Sequence, residues 1–171
     1  WVLALLDPAG ELIEFVAVEV QTIDTTGNYR NGRDALLEIA RTNLKTTAGL
    51  NWENVSKRIL PQLIYKGQVL QREELCRKGL FFICPEQVYE KTMGRLGGQA
   101  GLLRYALQPA SITFLSYQHE DDQLVPSGEL VKLKVATTHS TTVYKVQEAF
   151  NNVTLPEENV YKNAIINALK S

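Results

Sequence analysis

The stretch WVLALLDPAGELIEFVAVEVQTID, Trp1 to Asp24, decides how the rest of the chain is read. Two runs rich in branched and aromatic residues, 1–7 and 12–23, flank Asp7-Pro8-Ala9-Gly10, which carries Pro early and Gly late as a tight turn requires. An antiparallel hairpin is expected. Side chains alternate across a strand, so within Ala17-Val18-Glu19-Val20-Gln21 the polar Glu19 and Gln21 share one face, and Val18 and Val20 share the other. A carboxylate buried alone in such a strand costs on the order of several kcal/mol, so Glu19 needs a partner, a metal ion or water. Mg²⁺ takes oxygen ligands, commonly one or two carboxylates plus substrate phosphate. Two readings of Glu-x-Gln stand at this point: a metal site at the end of a strand, or a solvent-facing polar stripe on a half-buried hairpin.

Outward from the hairpin, residues 24–34 (DTTGNYRNGRD) are polar and Gly-punctuated, a loop, and a short helix is expected over Ala35 to Asn43. Asn51 suits the N-cap of a longer helix with Glu53 in its first turn. Val55, Ile59, Leu63 and Val69-Leu70 keep one apolar face, and Pro61 is expected to kink or divide it. LFFIC (80–84) reads as a buried strand, and Pro85 as the first residue of a helix running to Leu96. Gly94, Gly97, Gly98 and Gly101 mark a connection; no Gly-Lys-Ser/Thr follows, so they form no phosphate loop. Strands are expected at Ser111 to Tyr117 and Leu130 to Thr137, around a turn with Pro126, Ser127 and Gly128. Helices are expected over Thr141 to Asn151 and Pro156 to Leu169. This order gives one domain over 1–171, an α/β or α+β sandwich with a mixed central sheet.

A hydrophobic share of 44% excludes a disordered chain, and no apolar run approaches the roughly 18 residues of a membrane span. Cys76 and Cys84 are too few and wrongly spaced for a disulfide scaffold or a four-Cys zinc site. They read as buried free thiols in a reducing cytoplasm. His119 and His139 belong to no metal-spaced cluster, and His139 reads as part of a strand-to-helix transition. The net charge of -1 hides an asymmetry: residues 1–27 hold five acids and no base, whereas 28–78 hold ten bases against five acids. A carboxylate-rich segment beside a basic one suits a metal site facing a polyanion; ordinary variation of surface charge gives the same pattern. The opening WVLALL, with no initiator Met and no charged n-region, reads as a piece of a longer chain with structure upstream.

Three segments then add a resemblance. VEVQTIDTTGNY (Val18 to Tyr29), NVSKRILPQLIYK (Asn54 to Lys66) and GLFFICPEQVY (Gly79 to Tyr89) resemble, in order and spacing, segments of the NotI-type restriction endonucleases of the PD-(D/E)XK nuclease superfamily. About 70 residues are covered, and the first segment is the most specific. The resemblance implies a restriction-endonuclease-like three-layer α/β core with a mixed central sheet, truncated at its N-terminus. It implies a type II restriction endonuclease of a bacterial restriction-modification system. Such an enzyme is a cytoplasmic homodimer that hydrolyses double-stranded DNA at a defined sequence with Mg²⁺ as cofactor. Glu19 is then a catalytic metal ligand. Gln21 takes the catalytic place of the superfamily's usual Lys, where it can orient water or phosphate by hydrogen bonds without supplying charge. The family's Asp stands immediately before a Trp, so its counterpart is the residue upstream of Trp1; Asp7 reads as a turn residue, with metal binding as the alternative. Asn28, Tyr29, Arg30 and Arg33 in the loop, and Lys57 on the long helix, are the candidate DNA contacts, since Arg and Asn suit guanine and adenine edges. Lys57 or Lys66 suits a place facing the active site or backbone phosphates, with a solvated helix face as the alternative. Two rivals stand beside this reading: another nuclease of the superfamily, for repair or mobile elements, and a non-catalytic DNA-binding module of the same fold.

Overall fold

A computed structural model describes residues 1–26, 49–98, 101–120, 130–152 and 157–170. Strands β1 (Val2–Leu6) and β2 (Leu12–Val20) form the expected antiparallel hairpin, with Val2 opposite Ala17 and Leu5 opposite Glu14. Asp7 closes its turn: the carboxylate accepts from the backbone N–H groups of Ala9 and Glu11, both at 2.9 Å, and Gly10 takes φ +88°. A left-handed residue at that corner is why glycine stands there. A second, two-stranded sheet joins β3 (Thr25–Thr26) to β4 (Gly49–Leu50).

The segment that follows is helical but begins differently from the sequence expectation. Asn51 to Asn54 make a turn, then a π-helical turn (Val55–Ile59) leads into α1 (Leu60–Leu70). The Leu60 N–H donates to the Val55 carbonyl, five residues back. Pro61 has no N–H to give the preceding turn and its ring crowds it. The interruption expected at Pro61 therefore takes the form of a widened turn just before it.

LFFIC is a strand, β5 (Leu80–Pro85), and Pro85 is the N-cap rather than the first residue of α2 (Glu86–Arg95). β6 (Ser111–His119) and β7 (Leu133–Thr142) complete a sheet of order β1-β2-β5-β6-β7. The three central strands are parallel and the two edges antiparallel. β7 runs five residues beyond its expected end. Its Thr-rich tail looks polar in sequence, yet β-branched threonines suit a pleated surface, and they pair with β6 as far as Ser111 opposite Thr142. Thr142 then caps α3 (Val143–Asn151) by accepting from the Lys145 N–H at 3.2 Å. Helix α4 (Val160–Lys170) follows. The architecture is thus α/β with a mixed five-stranded sheet. The expected short helix over Ala35 to Asn43 and the turn with Pro126 to Gly128 lie outside the described residues.

Register explains where the core sits. Leu80, Phe82 and Cys84 of β5 are level with Ile112, Phe114 and Ser116 of β6, so all six share one face. Leu60, Leu63 and Ile64 of α1, Val88, Tyr89 and Met93 of α2, and Val143 and Val146 of α3 complete that core. Phe114 meets Phe82 and Tyr89 edge-on, with ring centroids 5.9 and 6.4 Å apart. The opposite face carries Val16, Val18, Phe81, Ile83 and Leu115, all partly buried. Cys76 and Cys84 are buried and unbridged; burial pushes both thiols up, Cys84 to about 12 with a further contribution from the Glu86 charge. Among the described residues no helix is long and apolar enough to cross a membrane.

Candidate functional site

Glu19 is the penultimate residue of β2 and stands level with Phe82, on the face that the helices cover. Its neighbours on that face are apolar, so its carboxylate requires compensation. Helix α1 supplies it: the Lys66 Nζ lies 2.5 Å from Glu19 Oε2, with the two side chains 41% and 23% exposed. The pair borders an open pocket of about 330 Å³ whose walls include Trp1, Ala17, Tyr65 and Leu80.

Gln21 follows on the same side of the chain. Its backbone N–H continues the pairing with β5, donating to the Ile83 carbonyl at 3.0 Å. Its Nε2 donates to the carbonyl of Thr22, also at 3.0 Å, so the carboxamide is engaged with its own backbone rather than with Glu19. Upstream, the hairpin continues one pair past β1. Trp1 and Val18 exchange both backbone hydrogen bonds, each 2.9 Å.

The basic groups of the π-helical turn before α1 are paired as well. Lys57 sits on an exposed 2.5 Å pair with Glu53, whose carboxyl is held below its usual range by the Lys57 hydrogen bond and charge. Arg58 donates to Asp24 Oδ2 at 2.9 Å, and Asn54 Nδ2 reaches the same oxygen at 2.9 Å. Asp24 thereby ties the end of the hairpin to the helical segment. Of the candidate DNA contacts, Lys57 is at the surface, while Asn28, Tyr29, Arg30 and Arg33 lie outside the described residues.

His139 is not in a strand-to-helix transition. It lies inside β7 opposite Phe114 and is 2% exposed, and neither ring nitrogen makes a hydrogen bond of good geometry. Burial first, and then the positive charge of Arg104, hold its pKa below the ordinary histidine value, against a smaller opposing pull from the Leu102 backbone. It shares a register row with Glu19, but β5 and β6 stand between them, roughly 14 Å at the usual strand spacing. Histidine and carboxylate are therefore not brought together.

Two features escaped the sequence reading. The Glu19–Lys66 pair spans 47 residues and has no local signal; Lys66 alone was equally consistent with a solvated helix face. Glu86, the first residue of α2, has one carboxylate oxygen accepting from Thr137 Oγ1 at 3.3 Å and the other buried without a partner. An acid in a first helical turn after proline is a common N-terminal feature, and nothing in the sequence set it apart.

Among the described residues no group of three or more His, Cys, Asp or Glu side chains is arranged to hold a metal ion. Glu19 is the one carboxylate among the described residues lining the pocket and is paired with Lys66, so it would supply a single side-chain ligand to a largely hydrated Mg²⁺ and not a closed cage. Comparison with protein-family models and with curated proteins found no match.

Proposed function

We propose that the end of β2 is a Mg²⁺-dependent phosphodiesterase site of the PD-(D/E)XK kind, and that the protein is a type II restriction endonuclease cleaving double-stranded DNA as a homodimer. The observation that carries this reading is the hairpin register. Because Trp1 and Val18 form a hydrogen-bonded pair, a residue preceding Trp1 would take the non-hydrogen-bonded place opposite Glu19. Side chains stand closest at such places, with Cα atoms about 4.5 Å apart. The Asp that the resemblance expects before Trp1 would therefore share a face with Glu19 on the neighbouring strand. Two carboxylates at that spacing suit one hydrated Mg²⁺.

When bound, such an ion polarises a phosphoryl oxygen and lowers the pKa of a bound water. The work of the chain's own residues is positional. Glu19 holds the ion. Gln21, once released from the Thr22 carbonyl, orients water or phosphate by hydrogen bonds. Asn28, Tyr29, Arg30, Arg33 and Lys57 are assigned to DNA. The mixed sheet, opening with a hairpin and continuing through a helical crossover to a parallel strand, suits a restriction-endonuclease-like core, although among the described residues α1, α2 and α3 pack on one face of it and a third layer is not seen.

The test is digestion of a large, sequenced DNA by the protein at its full natural length in Mg²⁺, beside Glu19→Ala and an EDTA control. Discrete fragments are expected, with Glu19→Ala slower by at least about 100-fold, the loss that follows removal of a principal electrostatic contributor. Cleavage that survives Glu19→Ala would remove Glu19 from the chemistry. Intact DNA from a folded protein that still retards DNA on a gel would make this a binding module.

A further inference from the structure

We propose that Lys66 is the resident counter-ion of Glu19, that a divalent cation displaces it, and that the released ammonium then engages the DNA phosphate. This inference rests on the reading of Glu19 as a metal ligand. An ammonium 2.5 Å from Glu19 Oε2 and an incoming cation compete for the same carboxylate. Among the described residues, Glu19 and Lys66 are the two charged side chains lining the pocket, so their pairing balances the side-chain charge that these residues bring to it. A divalent cation in place of the ammonium adds two positive charges there and frees a third group to meet an anion.

The backbone under Lys66 is held by packing while its side chain faces open space. The next residue, Gly67, is buried where α1 crosses α3 and β6, and a Cβ there would lie 2.4 Å from Val143 Cγ2. The Lys66 side chain is 41% exposed and borders open space. Lys57 and Arg58, on the π-helical turn that leads into α1, are held in exposed ion pairs with Glu53 and Asp24, and Lys57 reaches DNA by the same kind of partner exchange. Cation and DNA are then coupled through one side chain, each strengthening the binding of the other.

The test measures Mn²⁺ affinity without DNA by electron paramagnetic resonance, and DNA affinity in Ca²⁺ against EDTA, on the protein at its full natural length. Lys66→Met removes the competitor, so Mn²⁺ is expected to bind about tenfold more tightly, while the gain in DNA affinity on adding Ca²⁺ shrinks to what the cation's own charge supplies. Lys66→Gln, a polar replacement for a half-exposed position, is expected to act in the same direction, and thermal melts establish that both variants fold. Unchanged or weaker Mn²⁺ binding in both folded variants would overturn the exchange. Glu19→Gln separates the two levels. If it abolishes Mn²⁺ binding while Lys66→Met has no effect, only the role of Lys66 fails. If it leaves Mn²⁺ binding intact, the metal-ligand reading fails and the exchange with it.

Discussion

His139 is a buried, neutral imidazole, and its environment has a direct consequence for pH. Its folded pKa is lowered, so between the unfolded value of about 6.5 and that lower value the unfolded chain binds the extra proton. Stability is therefore full above about pH 6.5 and falls as pH drops, by at most about 1.4 kcal/mol per pH unit for one such group. Urea unfolding at pH 7.5 and 5.5 should show a lower midpoint at 5.5, and His139→Phe should flatten that part of the dependence; an equal slope in the variant would contradict it. Cys84 makes a second, independent case. With its thiol pushed up to about 12 and its side chain in the core, it should resist a thiol-directed disulfide reagent at pH 8 until urea unfolds the chain. Fast labelling of the native protein at Cys84 would contradict that burial. Both cysteines were readable in sequence as buried free thiols because their spacing excluded other uses. The burial of His139 was not readable, because a histidine among serine and threonines looks like the turn and cap chemistry of a strand-to-helix transition.

Helix α1 and strand β7 show how far an element can be read from its own residues. β5 was legible because five apolar residues ended at a proline, and α2 because that proline suits the start of a helix. The π-helical turn before α1 was not, since proline signals an interruption without saying which form it takes. Glycines give a sharper test of the packing. Gly67 and Gly94 are both helical, and alanine is favoured over glycine in a helix by up to about 1 kcal/mol. Gly94 has nothing within 4 Å of an added Cβ, so Gly94→Ala should stabilise by a few tenths to about 1 kcal/mol. At Gly67 the same methyl meets Val143 and Ile112, so Gly67→Ala should destabilise by roughly 1–3 kcal/mol. Denaturant midpoints of the two variants should move in opposite directions, and a shift of the same sign would show that α1 does not pack closely on α3 and β6.

At the scale of the whole molecule, the mixed sheet brings together what the sequence leaves apart. The hairpin was legible because turn chemistry and alternation agree over neighbouring residues. The position of Glu19 on the helix-bearing face, and Lys66 upon it, depends on parallel pairing of β2 with β5 and on the path of α1 between them. Local periodicity carries no such information. Alternation placed Glu19 and Gln21 on one face and the resemblance alone made them a candidate site, whereas the counter-ion and the level of the strand opposite came only with the fold. That geometry underlies the central claim, that the end of β2 hydrolyses DNA at a defined sequence with Mg²⁺ and Glu19. The most direct measurement is sequencing of the fragment ends left by the protein at its full natural length in Mg²⁺, with Glu19→Ala run in parallel. All ends should map to one short palindrome and disappear in the variant. Scattered ends that persist in Glu19→Ala, or uncut DNA from a folded protein, would contradict the claim.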